Sequence, residues 1–212
     1  MNILIACEES QEICKAMRER GHRAFSADLQ ECSGGHPEWH INGDVLPIIN
    51  GDCEFTTSDG KNHRIVGQWD MLIAHPPCTY LSNCGNRWLY PDGKNGKLNE
   101  ERLSLGMKAK AFFMRFINAK CDRIVVENPT PNGIYGLPQY TQAIQPYEYG
   151  EPWSKRTCLW IKGVPMLKPT KIVTEHYPWM PTAKHPGGSK RNSRSRSKTF
   201  HGVALAMAEQ WG

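Results

Sequence analysis

A thiol and a carboxylate stand where two apolar runs of this sequence break off. Met71-Leu72-Ile73-Ala74 leads into His75-Pro76-Pro77-Cys78, and Ile124-Val125-Val126 leads into Glu127-Asn128-Pro129. The two prolines stiffen the backbone ahead of Cys78 and offer no amide hydrogens there. A thiol on such a rigid turn is presented as a nucleophile needs to be. A carboxylate at the rim of a core is expected to have a raised pKa and to hold a proton near neutrality. Together the two groups suit attack on an electron-poor ring, the thiolate adding to one carbon while the acid protonates a ring nitrogen. Singly, each has a plainer reading: Cys78 as a structural cysteine beside a proline turn, Glu127 as an ordinary strand-end acid.

The surrounding sequence predicts elements that place both groups at strand exits. Residues 2–6 form an apolar strand, Ser10 is placed to cap a helix over 11–20, Gly21 ends it, and Arg23–Ala27 is a second strand closing at Asp28. Such a strand–helix–strand unit implies parallel strands with a right-handed crossover. Residues 30–40 and 50–68 are polar and read as loops, and 83–98, rich in Asn and Gly, as a long loop of the kind that is often functional. Residues 99–119 read as a helix capped by Asn99, with Leu103, Met107, Lys110, Ala111, Met114 and Ile117 at helical spacing. Thr157–Ile161 is a later strand and 202–210 a short closing helix. The alternation predicts an α/β sheet domain. Chemistry in open parallel sheets gathers beyond the carboxyl ends of the strands, where Asp28, Cys78 and Glu127 all fall.

With 212 residues, 39% of them apolar, the chain can form one domain with a real core, with or without a small appendage. No run of about 18 apolar residues is present, so no membrane association is expected. The opening Met1–Ala6, followed by Cys7-Glu8-Glu9, reads as a strand and not as an export signal. The eight scattered cysteines then read as reduced thiols of a cytoplasmic protein. Those on strands, Cys7 and Cys158, read as small core residues. The formal charge of +5 has one source. Residues 184–198 hold six of the 26 Lys and Arg and no acid, and without them 20 basic residues face 21 acidic ones, a net of −1. A basic, flexible stretch of this kind points to phosphate backbones as its partner.

His75-Pro76-Pro77-Cys78-Thr79-Tyr80-Leu81-Ser82 resembles the Pro-Cys motif of the DNA cytosine-5 methyltransferases, and Val125-Val126-Glu127-Asn128-Pro129 their Glu-Asn motif. Tyr149-Gly150-Glu151-Pro152-Trp153-Ser154-Lys155-Arg156-Thr157 is similar to the family's later Tyr-Gly-x-Pro-Gln-x-Arg-x-Arg motif. The three occur in the family's order, and the resemblance covers most of the chain, with a weak fit in 50–68 and 163–198. The resemblance implies a class I S-adenosylmethionine-dependent fold, a Rossmann-like, mostly parallel sheet with helices on both faces and a small basic insertion near the C-terminus. Its catalytic domain would span 1–162, a reduced target-recognition segment 163–199, and a returning helix 200–212. It implies that Cys78 bonds to carbon 6 of a flipped cytosine, that Glu127 protonates or hydrogen-bonds nitrogen 3, and that Asn128 orders the loop. Carbon 5 then takes the methyl group of S-adenosylmethionine. The cofactor would lie against Cys7, Glu8 and Ser10 of the first turn, with Asp28 and Leu29 after the second strand, Asp44, Val45 and Pro76. DNA would meet Ser82, Lys155, Arg156, Lys190, Arg191, Arg194 and Arg196, and no obligate protein partner or metal is implied. Small stand-alone proteins of this type resemble phage and prophage enzymes whose modification shields DNA from restriction.

The sequence departs from the family at definite places. The first turn, Ala6-Cys7-Glu8-Glu9-Ser10-Gln11, has none of the family's glycines, Thr79 stands for the glutamine after the nucleophile, and Trp153, Lys155 and Thr157 stand for Gln, Arg and Arg. His201-Gly202-Val203-Ala204 is only loosely similar to the Gly-Asn motif. Three other readings compete. An amino-group methyltransferase would place Asp-Pro-Pro-Tyr where His75 to Cys78 stand. A non-catalytic DNA-binding protein would keep the scaffold alone. A zinc site would draw on Cys32, His36, His40 and Cys53, whose spacing fits no standard zinc pattern.

Overall fold

The computed structural model describes residues 1–93, 96–181, 184, 186–188 and 197–212. Its centre is a seven-stranded sheet. Strands β1 (Asn2–Ala6), β2 (Arg23–Asp28), β3 (His40–Asn42), β6 (Met71–Ala74), β7 (Ile124–Pro129), β8 (Gln142–Ile144) and β10 (Thr157–Lys162) are ordered β3-β2-β1-β6-β7-β10-β8. The first five pair in parallel, and β10 runs antiparallel between β7 and β8. The order reverses between β1 and β6, the topological switch point at which doubly wound sheets bind ligands. This is the Rossmann-like, mostly parallel sheet with helices on both faces that the resemblance implies.

The strand sequences are apolar throughout because both faces are covered. Side chains alternate across a strand, so Leu4 and Ala6 point to one core with Phe25, Leu72, Ala74, Val126 and Trp160. Ile3 and Ile5 point to the other with Met71, Ile73, Val125 and Leu159. The first face is covered by α3 (Glu100–Ile117), the second by α1 (Glu12–Glu19) and α4 (His201–Trp211). Asn99 caps α3 as expected, its side chain accepting from the Arg102 amide at 3.0 Å. The buried face of α3 is Gly106, Phe113 and Phe116, whereas Met107 is 48% exposed. Gly106 is required where it stands: a Cβ there would lie 2.1 Å from the Tyr135 ring.

Several expected loops carry structure. Within 50–68, β4 (Cys53–Thr56) and β5 (Asn62–Ile65) form an antiparallel hairpin that seats Phe55 and Ile65 beside Phe25 and Trp69. Within 83–98, α2 (Asn86–Leu89) buries Leu89. Between residue 163 and Trp179 the chain is sewn down. Here β11 (Tyr177–Pro178) pairs with β9 (Trp153–Ser154), Lys171 bridges to Tyr149, and the Val173 amide donates to the Tyr147 carbonyl at 2.8 Å. Trp179 packs edge-on against both Trp153 and Phe200. No helix is long and apolar enough to cross a membrane, among the described residues.

Candidate active site

The register of the parallel strands sets one row of residues across the sheet. Ala6 is level with Ala27 and Ala74, Ala27 with Ile41, and Ala74 with Val126. The next position along each strand therefore aligns Asn42, Asp28, Cys7, His75 and Glu127 along the carboxyl edge. His75 and Glu127 are neighbours in that row, and His75 Nδ1 lies 3.4 Å from Glu127 Oε2. The ladder extends to this level, since the His75 amide donates to the Ala6 carbonyl at 2.9 Å.

Three residues further on, Cys78 sits half-buried at the start of a tight turn. The amides of Leu81 and Ser82 both donate to its carbonyl, at 3.1 and 3.0 Å. The turn is stitched to the loop beyond Glu127. Ser82 and Pro131 form an antiparallel bridge, the Asn132 amide donates to the Leu81 carbonyl at 2.7 Å, and the Asn83 amide donates to the Thr130 carbonyl at 2.9 Å. The thiol-bearing and carboxylate-bearing segments are thus one unit. From α3, Arg102 donates to the Thr79 carbonyl at 2.9 Å and lies over the Tyr80 ring at 4.8 Å. Asn128 is fully buried, and its side-chain amide donates to the Pro129 carbonyl. Ser82 is 6% exposed and belongs to this stitching, not to a DNA-facing surface.

A pocket opens beside the row, with His75, Glu127, Lys155, Thr157, Phe200 and Met207 among its walls. Cys78 is not on its wall, but its thiol feels both Glu127 and Lys155, which are. Burial pushes the Cys78 thiol up to about 11, the Glu127 carboxylate adds to the rise, and Lys155 opposes it. Glu127 behaves oppositely to the sequence expectation. Burial alone would raise it, but the hydrogen bond from His75 and the charges of Lys155 and His75 outweigh burial and hold it below the usual carboxylate range. At rest the site therefore holds a thiol and a carboxylate. Lys155, expected at DNA, lines this pocket instead, while exposed Arg156 donates to the Tyr140 hydroxyl at 2.7 Å.

The other end of the row carries the residues expected to hold a cofactor. Cys7 is flanked by Asp28 and Asp44: burial first, then these two charges, push its thiol up. Each carboxylate forms a local turn, Asp28 with the Gln30 amide at 2.9 Å and Asp44 with the Leu46 amide at 3.0 Å. Leu29 is 78% exposed beside them, while Val45 and Pro76 are buried. Ser10 does not cap α1. Gln11 holds that position at φ 60°, Ser10 is buried, and the Glu8 carboxylate accepts from the Ile13 and Cys14 amides at 2.7 and 3.2 Å. Glu8 is therefore turned into the helix start and not toward a ligand. Burial raises it to about 7 against the opposing effects of His75 and those two amides.

The zinc reading does not survive. The His40 ring is held between the Ser26 hydroxyl and the Gln30 carbonyl, each at 2.9 Å, and His36 stacks on Trp39 and pairs with Glu38. Lys190, Arg191, Arg194 and Arg196 lie outside the described residues. Sequence reasoning missed His75, Lys155 as a pocket residue and Arg102. For His75 the signal was present, in a histidine placed one residue past a buried strand and level with Glu127.

No protein-family profile matches this chain, and no curated protein matches it. Among solved structures it is similar to the Entamoeba histolytica methyltransferase EhMeth, at 12% identity and TM-score 0.40, over 82% of this chain and 57% of that one. It is also similar to a mutant form of Spodoptera frugiperda DNMT2, at 15% identity and TM-score 0.36, over 88% of this chain and 57% of that one. The chain thus spans little more than half the length of each.

Proposed function

We propose that the protein is an S-adenosylmethionine-dependent methyltransferase that modifies carbon 5 of cytosine in DNA, with Cys78 as nucleophile and Glu127 as its acid partner. The observation that carries this is the stitching of the Cys78 turn to the Glu127 loop, which fixes the carboxylate close enough to raise the thiol. The residues at the other end of the row fit the cofactor. Two carboxylates, Asp28 and Asp44, flank Cys7 and suit ribose hydroxyls, and exposed Leu29 offers an apolar face to an adenine ring. Bound there, the cofactor supplies an electrophilic methyl group.

This chain's residues supply the rest. Cys78 must shed its proton before its sulfur bonds to carbon 6, and the Lys155 ammonium offsets the charge that then develops. Glu127 must acquire a proton to pass to nitrogen 3, so that the electron pair released from the 5,6 double bond is held at carbon 5 for methylation. Water then takes the carbon 5 proton, its electron pair re-forms the 5,6 double bond and expels the Cys78 sulfur, and nitrogen 3 returns its proton to Glu127. Asn128 and Arg102 hold the two loops while this happens. DNA is the partner that the basic stretch 184–198 favours, and shielding DNA from restriction is a role that fits such a modification.

DNA carrying 5-fluorocytosine tests the reading, because a fluorine at carbon 5 cannot be lost and the adduct is trapped. Wild type with S-adenosylmethionine should give a denaturant-stable complex, and Cys78→Ala should give none. An amino-group methyltransferase would label DNA without trapping, and a pure binder would do neither. Either result overturns the proposal.

A further inference from the structure

The resting site poses a proton problem. Glu127 must deliver a proton, yet it rests as a carboxylate. We propose that His75 is a positioning residue that stores this proton and passes it through Nδ1 to Glu127, which hands it to the pyrimidine. The inference rests on the cytosine reading above and adds the source of the proton to it.

The geometry points to His75 for three reasons. The β6–β7 register sets it beside Glu127, and Nδ1 to Oε2 is the side-chain contact that this register produces, at 3.4 Å. Its side chain is only 11% exposed, and that of Glu127 only 19%, so exchange with bulk water is restricted. Its Nε2 is buried and makes no hydrogen bond, so no structural contact accounts for that end of the ring. A histidine recruited only to hold the fold would be expected to satisfy both nitrogens, as His40 does.

The groups that face the ring come from every neighbouring element. Glu127 is on β7, Glu8 on the turn after β1, and Lys155 and Lys198 line the same pocket from the β9–β10 connection and the approach to α4. Glu12 on α1 acts on Glu8 and lies 3.7 Å from His201 of α4. Two carboxylates, Glu8 and Glu127, are both pulled down by the ring. The ring thus joins a buried acid near the first turn to the acid at the substrate pocket.

The transfer balances. The His75 ring, protonated on Nδ1, gives that proton to Glu127 Oε2 and becomes neutral imidazole. The Cys78 thiol gives its proton to solvent water as its sulfur bonds to carbon 6, and Glu127 passes its proton to nitrogen 3. Carbon 5, holding the released electron pair, takes a methyl group or a solvent proton and then gives its original proton to water. The Sγ–C6 bond breaks as the 5,6 double bond re-forms, Cys78 leaves as thiolate and regains its proton from solvent, nitrogen 3 returns its proton to Glu127, and Glu127 returns it to Nδ1. No oxidant, reductant or co-reactant is consumed.

Adduct formation at carbon 6 makes carbon 5 basic, so release of tritium from DNA containing [5-³H]cytosine reports the step without needing methyl transfer. The full-length wild type, His75→Asn and His75→Ala are compared from about pH 5.5 to about pH 8.5. Asn retains a donor toward Glu127 and cannot deliver a proton, and the pair of variants separates support from proton supply. The expected result is a deficit that shrinks as pH rises, because only the protonated ring can supply Glu127. His75→Asn should be at least about tenfold slower than wild type at the acid end, the scale of a general-acid contribution, and within about threefold of it at the alkaline end. Thermal melting checks that each variant is folded, and His75→Asn decides the matter if His75→Ala is not. A deficit of the same size at every pH, or none, overturns the role of His75 while leaving the cytosine reading intact. Absence of tritium release and of 5-fluorocytosine trapping in wild type removes the cytosine reading, and this inference with it.

Discussion

The protonation of Cys78 is open to direct measurement by alkylation. With its thiol pushed up to about 11, the thiolate fraction at about pH 7.5 is on the order of 3 × 10⁻⁴, against roughly a tenth for an unhindered peptide cysteine of pKa about 8.5. Since the thiolate is the reactive form, iodoacetamide should label Cys78 about 300-fold more slowly than a free peptide thiol. The rate should climb about tenfold per pH unit, without levelling, up to about pH 10. Two neighbours set the value in opposite directions. Glu127→Gln removes a charge that raises the thiol, and Lys155→Met removes one that lowers it. The first should speed labelling and the second slow it, by several-fold each. Peptide mass spectrometry of the alkylated protein reads Cys78 apart from the other seven cysteines. Labelling of Cys78 at the free-thiol rate, or rates indifferent to both substitutions, would refute the electrostatic coupling on which the site is built.

Other perturbations address the scaffold and the cofactor edge. Gly106→Ala forces a Cβ to within 2.1 Å of the Tyr135 ring. Overpacking of this kind costs about 1–3 kcal/mol, partly offset by the better helix propensity of alanine, so urea denaturation should show a net loss of about 1–2 kcal/mol. Glu8 rises from 4.5 to about 7 on folding. The native state then binds the extra proton between those values, stability falls as pH rises across that window by on the order of 3 kcal/mol, and Glu8→Gln should flatten this slope in pH-dependent melts. Leu29→Asp puts a charge beside Asp28 and Asp44 and removes an exposed apolar face, so calorimetry should show S-adenosylmethionine binding at least about tenfold weaker with stability unchanged. Neutralising Arg191, Arg194 and Arg196 should lower the salt dependence of DNA binding, reducing the log–log slope by about 2.7 if all three meet phosphates.

The strands that carry the chemistry were legible because each is a short apolar run buried on two faces and broken by polar residues at its carboxyl end. That pattern placed Asp28, Cys78 and Glu127 at the right edge. The hairpin β4–β5 was not legible, because its outward positions are Glu54, Thr56, Asn62 and Arg64 and only Phe55 and Ile65 enter the core. Its fixing contacts reach Phe25, 30 positions before Phe55. Strand β8 is three residues long, too short for any periodicity. The sign of the Glu127 shift was misread for a related reason. Burial was foreseeable from the apolar run, but the outcome is decided by His75, 52 positions earlier, and by Lys155, 28 positions later. Local sequence carries the cost of burying a charge and not the identity of the groups that compensate it.

The first turn shows the same division between backbone shape and side-chain identity. In the resembling family its glycines permit close approach and unusual backbone angles. Here the chain takes left-handed conformations without glycine, at Cys7 with φ 59° and Gln11 with φ 60°. Each such residue costs about 1–2 kcal/mol, and the turn persists because the surroundings hold it. The Gln11 side chain is fully buried. It donates to the His36 carbonyl at 2.8 Å and the Ser26 hydroxyl at 3.2 Å, and accepts from the His36 amide at 3.1 Å. The Ser33 amide donates to the Glu9 carbonyl at 2.8 Å, and Gly34 packs so closely on Gln11 that a Cβ there would lie 2.5 Å from it. The glycine demanded by close packing has thus moved from the turn itself to the loop that covers it. Gln11 spends its polar atoms on that loop and Glu8 spends its carboxylate on the start of α1, so neither is free to meet a ligand. On the proposed reading, polar contacts to S-adenosylmethionine would fall to Asp28 and Asp44 and to backbone groups along the row, so cofactor binding should tolerate changes in the first turn that preserve its backbone, and should not tolerate the loss of those two acids.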